Sequence, residues 1–240
     1  MTHLTKIFSP ADFAALAIFI LAWIIYAIAL EKSAFGQTSL NARMNHFRET
    51  WIRQLLHREM RMVDMQIMSA LQNGTAFFAS TTLLTIGGAL TVLRSTDELL
   101  SMAAALPFVA APSRAQWEIK TLGLTIILVY SFFKFAWSYR LFNYVSILMG
   151  AMPPADQAST PQAEAHVIRT TRLFQSAGRH FNRGQRAFFL ALGFLGWYMG
   201  PYVLIAATLA VVFVMWRRQF ASDGWRALQE NSIAAKPPSP

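Results

Sequence analysis

The chain has 240 residues, 55% of them hydrophobic and 14% charged, with 19 Phe and 7 Trp, and so few charges cannot cover an ordinary globular surface. A water-soluble fold is therefore excluded and an integral membrane protein expected. The formal charge of +9 comes mostly from Arg placed beside apolar runs, which points to anionic lipid headgroups rather than nucleic acid, and the absence of cysteine removes disulfides, thiolate metal sites and cysteine nucleophiles.

The first apolar run, Ala11 to Leu30, is charged only at Asp12 and is long enough to cross a bilayer as a helix (span 11–30). Lys6 before it and the small-residue sequence Ala27, Ile28, Ala29 also suit a secretory signal. Trp23, Tyr26 and the length of the run favour a retained span. The long connection Glu31 to Asn73 follows. Within it Asn41 to Leu71 lacks Pro and Gly and carries two apolar stripes at helical spacing, one with Phe47 and Trp51 and one with Ile52, Leu56 and Ile67. This predicts a single amphipathic helix at the membrane surface leading into the second span.

That second span, 74–93, is uncharged from Gly74 to Leu93. Its Ala79, Ser80, Thr81, Thr82, Gly87 and Gly88 form a small, hydroxyl-rich surface suited to close helix packing. Leu99 to Ala111 is apolar but too short to cross and is interrupted by Pro107, which predicts a surface helix or shallow re-entrant piece. The third span, 119–139, contains Lys134. Pro153 to Thr160 reads as a linker, and Gln162 to Arg186 as a basic, mostly helical approach to the last span.

The fourth span, 187–216, runs without a charge from Ala187 to Trp216. Gly196 and Gly200 form a Gly-x-x-x-Gly that admits a close neighbour, and Pro201 follows. The expected architecture is an all-α membrane bundle of four transmembrane helices with amphipathic interfacial helices. It forms a single membrane domain over residues 1–235, followed by a disordered tail, 236–240.

Topology can be read in two ways from the charges. Four full passes place eleven Lys/Arg of the two large connections on one face and eight on the other. If the fourth segment instead folds back at Gly200 and Pro201 as a hairpin, the division becomes fifteen against four, which the positive-inside rule prefers. A Pro-kinked, tilted crossing is nonetheless the expectation, because the halves on either side of the break are short for spans.

Asn73, Phe77 to Thr82, Leu106 to Phe108, Glu118 to Lys120, Phe181 and Asn182 with Gly184 and Arg186, Arg217 and Arg218, Phe220, and Ser222 and Asp223 occur in that order along the chain. This series resembles the uncharacterised bacterial membrane family named domain of unknown function 599. Trp51, Arg53, Arg58, Arg61 and Asp64 match the helix that precedes its second span. The resemblance implies a multi-pass protein of a proteobacterial inner membrane and implies no activity.

The residues themselves offer little chemistry. Lys134 within a span either snorkels to the interface or serves as a counter-ion in an ion path, and a path needs a carboxylate at its depth. Asp12, Asp97, Glu98 and Glu118 fall on one face, where they would form either a cation-attracting vestibule or solvated rim charges. The five histidines have no metal-ligand spacing, and no nucleotide, hydrolase or dinucleotide motif occurs, so no catalytic residue, cofactor or metal is expected. Asn182, Arg183 and Arg186, with Arg217 and Arg218, read as contacts to phosphate, lipid or a partner, or as plain flanking charge. The expected function is a non-catalytic accessory or scaffold protein that contacts anionic lipid, with a membrane-protein partner or a second copy. The alternative is a small transporter or ion pathway around Lys134.

Overall fold

The structure, a computed structural model, describes residues 7–104 and 113–230, and these are helical with no strand among them. Eight α-helices follow in order: α1 (Pro10–Lys32), α2 (Leu40–Leu55), α3 (Met62–Arg94), α4 (Thr96–Ala104), α5 (Arg114–Gly150), α6 (Pro161–Phe194), α7 (Pro201–Phe220) and α8 (Asp223–Glu230). The stretches Pro10–Lys32, Met62–Arg94, Arg114–Gly150 and Pro201–Leu228 are long and apolar enough to cross a membrane. The tail 236–240 and the Pro107 portion of the short apolar piece lie outside the described residues.

Local chemistry fixes the helix starts. Ser9 caps α1 and Ser113 caps α5, each in a reciprocal capping box, with Asp12 and Gln116 as the returning side chains. Ser39 and Thr160 accept from backbone amides at the starts of α2 and α6, and Pro161 and Pro201 sit where a missing N–H costs nothing.

Two ends organise the bundle. At one, the start of α1 meets the turn after α6: the Trp197 indole N–H donates to the Asp12 carboxylate (2.8 Å) and the Lys120 ammonium donates to the Trp197 carbonyl (2.8 Å). At the other, Glu31 at the end of α1 pairs with Arg183 and Arg186 of α6. α5 and α6 run antiparallel, pinned where Ser131 donates to the Gly184 carbonyl (2.9 Å) and Ser138 to the Ala177 carbonyl (2.8 Å).

α5 has 37 residues, about 55 Å at 1.5 Å per residue, against a hydrocarbon layer of about 30 Å. The excess projects beyond the Glu31 end. There it joins α2, the start of α3 and the first half of α6 around a separate core of Ile52, Leu55, Met68, Val145, Val167 and Phe174. The membrane-level core is a different cluster, centred on Phe19, Leu128, Leu190, Phe194 and Leu204.

Two expectations are corrected. Asn41 to Leu71 is not one helix: α2 ends at Leu55, the chain turns through residues 56–61, and Met62 already belongs to α3. Long-range pairing overrides helical periodicity at this turn. The buried Asp64 carboxylate accepts from the Trp51 indole (2.6 Å) and from Arg58, and Arg61 donates to the carbonyls of Met152 (2.9 Å) and Pro153 (2.8 Å).

The second correction is that 187–216 is not a single kinked helix. Its first part ends α6, a 3-10 turn follows at Leu195–Tyr198, and Gly200 at φ +141 starts α7. A φ of that sign admits glycine and penalises other residues. The chain then reverses. A Cβ on Gly196 would meet Val203 and Ala207, one on Gly193 would meet Val211 and Ala207, and the Arg218 guanidinium lies over the Phe189 ring. α7 is therefore antiparallel to α6 and ends beside α2, where Trp225 donates to the Thr38 carbonyl (2.9 Å) and Arg43 to that of Leu228 (3.1 Å).

Gly196 thus admits a close neighbour as expected, the α7 backbone at Val203, while Gly200 supplies the turn, so the two do not form one face of a helix. Gly87 and Gly88, expected to pack closely, have open space beside them: a Cβ on either would meet nothing within 4 Å.

Candidate basic site

The Gly178 to Gly184 segment of α6 places basic side chains around clearances made by its glycines. A Cβ on Gly178 would lie 2.8 Å from the Arg48 guanidinium of α2, and one on Gly184 would lie 2.8 Å from the Phe135 ring of α5. The glycines therefore bring α2 and α5 close against α6. Arg48 stacks over Phe174 at 5.4 Å and donates to the Asn45 side chain (2.6 Å). Burial, and then the neighbouring Arg179, depress the pKa of Arg48 below the usual arginine value.

Around these residues lies a cavity of about 440 Å³ lined by Glu31, Lys32, Arg179, Asn182, Arg183, Arg186, Asn41, Asn45 and the Ser33 to Ser39 turn. Four cationic side chains thus face one carboxylate. Glu31 is occupied by Arg183 and Arg186. Arg179 and Asn182 make no side-chain hydrogen bond among the described residues, so their donors face the cavity.

A neck of about 40 Å³ beside this space shares Leu30, Asn41, Asn182 and Arg186 with it and is lined also by Tyr26, Gln185, Gln219 and Arg218. Arg218, distant in sequence, is brought in this way beside Asn182 and Arg186, with Arg183 in the adjoining cavity. Arg217, the remaining basic residue singled out from the sequence, lies one residue away on an adjoining surface lined also by Arg218, Asp223 and Arg226.

The other sequence candidates are placed differently. Lys134 is half-buried, its ammonium 5.1 Å above the Tyr130 ring, and no carboxylate pairs with it among the described residues. It stands one turn from Ser131, which bonds Gly184 beside Arg183, and so near the level where Glu31 ends α1.

Of the four acidic residues expected on the opposite face, three are engaged by neighbours, and Glu98 is exposed with no ion pair among the described residues. Asp12 is buried and accepts from Trp197, Ser9 Oγ (2.7 Å) and the Ser9 amide (3.1 Å), while Asp97 and Glu118 both pair with Arg114. Among the described residues no group of His, Asp and Glu could hold a metal ion. His166 bonds the Leu148 carbonyl (2.8 Å) and His180 packs edge-on to Trp137.

Sequence reasoning missed Arg179, Asn41, Asn45 and Gln185 as parts of one site, and Arg48 as the side chain that bonds Asn45 behind it. The available signal was the glycine spacing in Gly178 to Gly184, where two small residues six apart mark two different neighbours rather than one helix face.

The chain is matched by no curated protein and by no solved structure. One family model matches it over residues 14–224, nearly all of the described bundle. The chain belongs to that family, described as protein of unknown function, DUF599.

Proposed function

We propose that this is a non-catalytic accessory protein of the bacterial inner membrane that holds anionic lipid headgroups at its basic end. The helical extension beyond that end is then the surface offered to a larger membrane complex. The observation that carries the reading is the cavity of about 440 Å³ in which Lys32, Arg179, Arg183 and Arg186 face the single carboxylate of Glu31. A surplus of cationic donors at the edge of a membrane span favours phosphate-bearing headgroups by about 1 kcal/mol per Lys or Arg.

The orientation follows from the same charges. The positive-inside rule assigns the Glu31 end to the cytoplasm, because the described basic residues of the opposite end are only Arg94, Arg114 and Lys120. Among the described residues no carboxylate pairs with Lys134, and Glu31 at a similar level is taken by Arg183 and Arg186, so the transport reading has no observation in its favour.

The test is native mass spectrometry of the full chain in detergent with added phosphatidylglycerol or phosphatidylcholine. Wild type should retain phosphatidylglycerol preferentially, and Arg179→Gln with Arg183→Gln should lose that preference. Equal retention of the two lipids by wild type would overturn the reading.

A further inference from the structure

The basic cavity does not end at the membrane edge. Its neck shares Phe189, Met215 and Arg218 with an apolar groove of about 190 Å³ between α6 and α7, lined otherwise by Ala210, Val211 and Val214. Ala210 to Arg218 spans about 12 Å of helix at 1.5 Å per residue, running from the cytoplasmic end into the hydrocarbon layer.

Arg218 stands at the junction. Its guanidinium lies over the Phe189 ring at 5.4 Å and makes no ion pair or hydrogen bond among the described residues. One face of that cation is thus satisfied by an aromatic ring and its N–H edges remain for an anion. Asn182 and Gln185, in the neck, likewise have no side-chain partner among the described residues.

A polar, cationic chamber joined to an apolar channel at the depth where headgroup gives way to tail has the amphipathic profile of one phospholipid. We infer that α6 and α7 hold a single anionic phospholipid, its phosphate at Arg218 and Arg186 and one acyl chain lying along Phe189, Val211 and Val214. The inference rests on the headgroup reading above and adds a tail site to it.

Charge decides the occupant. A helix from a second copy would present an apolar face to the groove and leave the Arg218 donors at the membrane edge unanswered, whereas a phosphodiester answers them. The reversal of the chain at Leu195–Tyr198 makes the groove, since only an antiparallel α7 returns Met215 and Arg218 to Phe189.

The experiment photocrosslinks full-length protein in bilayers with phosphatidylglycerol bearing a diazirine in its acyl chain, with the matched phosphatidylcholine as comparison, and maps the adducts by mass spectrometry. Adducts should concentrate between Ala210 and Met215 for phosphatidylglycerol. Arg218→Gln should lower their yield about fivefold, the equivalent of ~1 kcal/mol for one basic residue at an anionic surface.

Val214→Trp fills the groove from a position 55% exposed, so the fold should tolerate it. It should remove the adducts and lower total lipid retention, while the ratio of phosphatidylglycerol to phosphatidylcholine retained in native mass spectra, set by Arg179 and Arg183, should persist. Adducts of equal yield for both lipids and unchanged in Arg218→Gln would identify an annular lipid only and overturn the inference. So would crosslinks to a second copy of the chain. Loss of headgroup preference in wild type would instead defeat the headgroup reading on which the inference rests.

Discussion

Removing the Asp64 carboxylate should unfasten the helical extension from the membrane bundle. Asp64 is 1% exposed and accepts from the Trp51 indole at 2.6 Å and from Arg58, so Asp64→Ala takes away two charge-assisted hydrogen bonds and leaves the indole N–H without its acceptor. Such bonds contribute about 1.5 to 3 kcal/mol each. The Arg58 side chain is 43% exposed and regains water, so its share belongs at the low end. Asp64 also stands in the first turn of α3, where a negative charge favours the helix. The expected loss is about 2 to 4 kcal/mol, against less than about 1 kcal/mol for the exposed Arg53 and Glu164 pair removed by Glu164→Ala. At roughly 2 to 4 °C per kcal/mol for a chain of this size, Asp64→Ala should melt about 10 °C below wild type in detergent. Limited proteolysis should then cut first within residues 56–61. A melting point within about 2 °C of wild type, or no gain in cleavage there, would refute the assignment of Asp64 as the tie between α2 and α3.

Gly184→Leu should be severe, because its Cβ alone would sit 2.8 Å from the Phe135 ring in a buried contact; overpacking of about 1 to 3 kcal/mol should appear as a lower melting point, with Gly184→Ala intermediate. Lys134→Met should leave expression and melting nearly unchanged, since the ammonium lies over the Tyr130 ring and makes no ion pair or hydrogen bond among the described residues, and a large fall in either would restore a structural or counter-ion role for Lys134. Glu31→Gln should strengthen retention of phosphatidylglycerol, because it frees Arg183 and Arg186 from their shared carboxylate, and unchanged retention would detach these arginines from the headgroup site.

Much of the fold was legible because hydrocarbon imposes long uncharged runs. Ala11 to Leu30, Gly74 to Leu93 and 119–139 all lie within helices long enough to cross. Hydropathy failed where a helix is shielded by its neighbours. The last part of α6 shares a run with α7, but Ala187, Leu190, Ala191 and Phe194 are buried inside the bundle and Arg179, Arg183 and Arg186 precede them, so one uncharged stretch contains two antiparallel halves.

Periodicity failed at residues 56–61 for another reason. His57, Arg58, Glu59 and Arg61 give no local stop signal, and contacts to Asp64, Met152 and Pro153 help to hold the turn. For the site, Asn182, Arg183, Arg186 and Arg218 stood out in sequence through their density of donors, whereas Arg48 and Asn45 arrive from α2 and become neighbours only when Gly178 lets that helix approach.

The reversal at Leu195–Tyr198 brings Arg217 and Arg218 of α7 to the same end as the arginines of α2 and α6, and the phospholipid site proposed at Arg218 depends on it. The chain has no cysteine, so single-cysteine variants report position without background. Ser159→Cys, Ala221→Cys and Glu98→Cys, all at exposed positions, would be treated with a membrane-impermeant maleimide in sealed vesicles of known orientation. Residues 159 and 221 should be labelled from the same side and residue 98 from the other. Labelling of 159 and 221 from opposite sides would contradict the antiparallel pair of α6 and α7, and with it the single basic face.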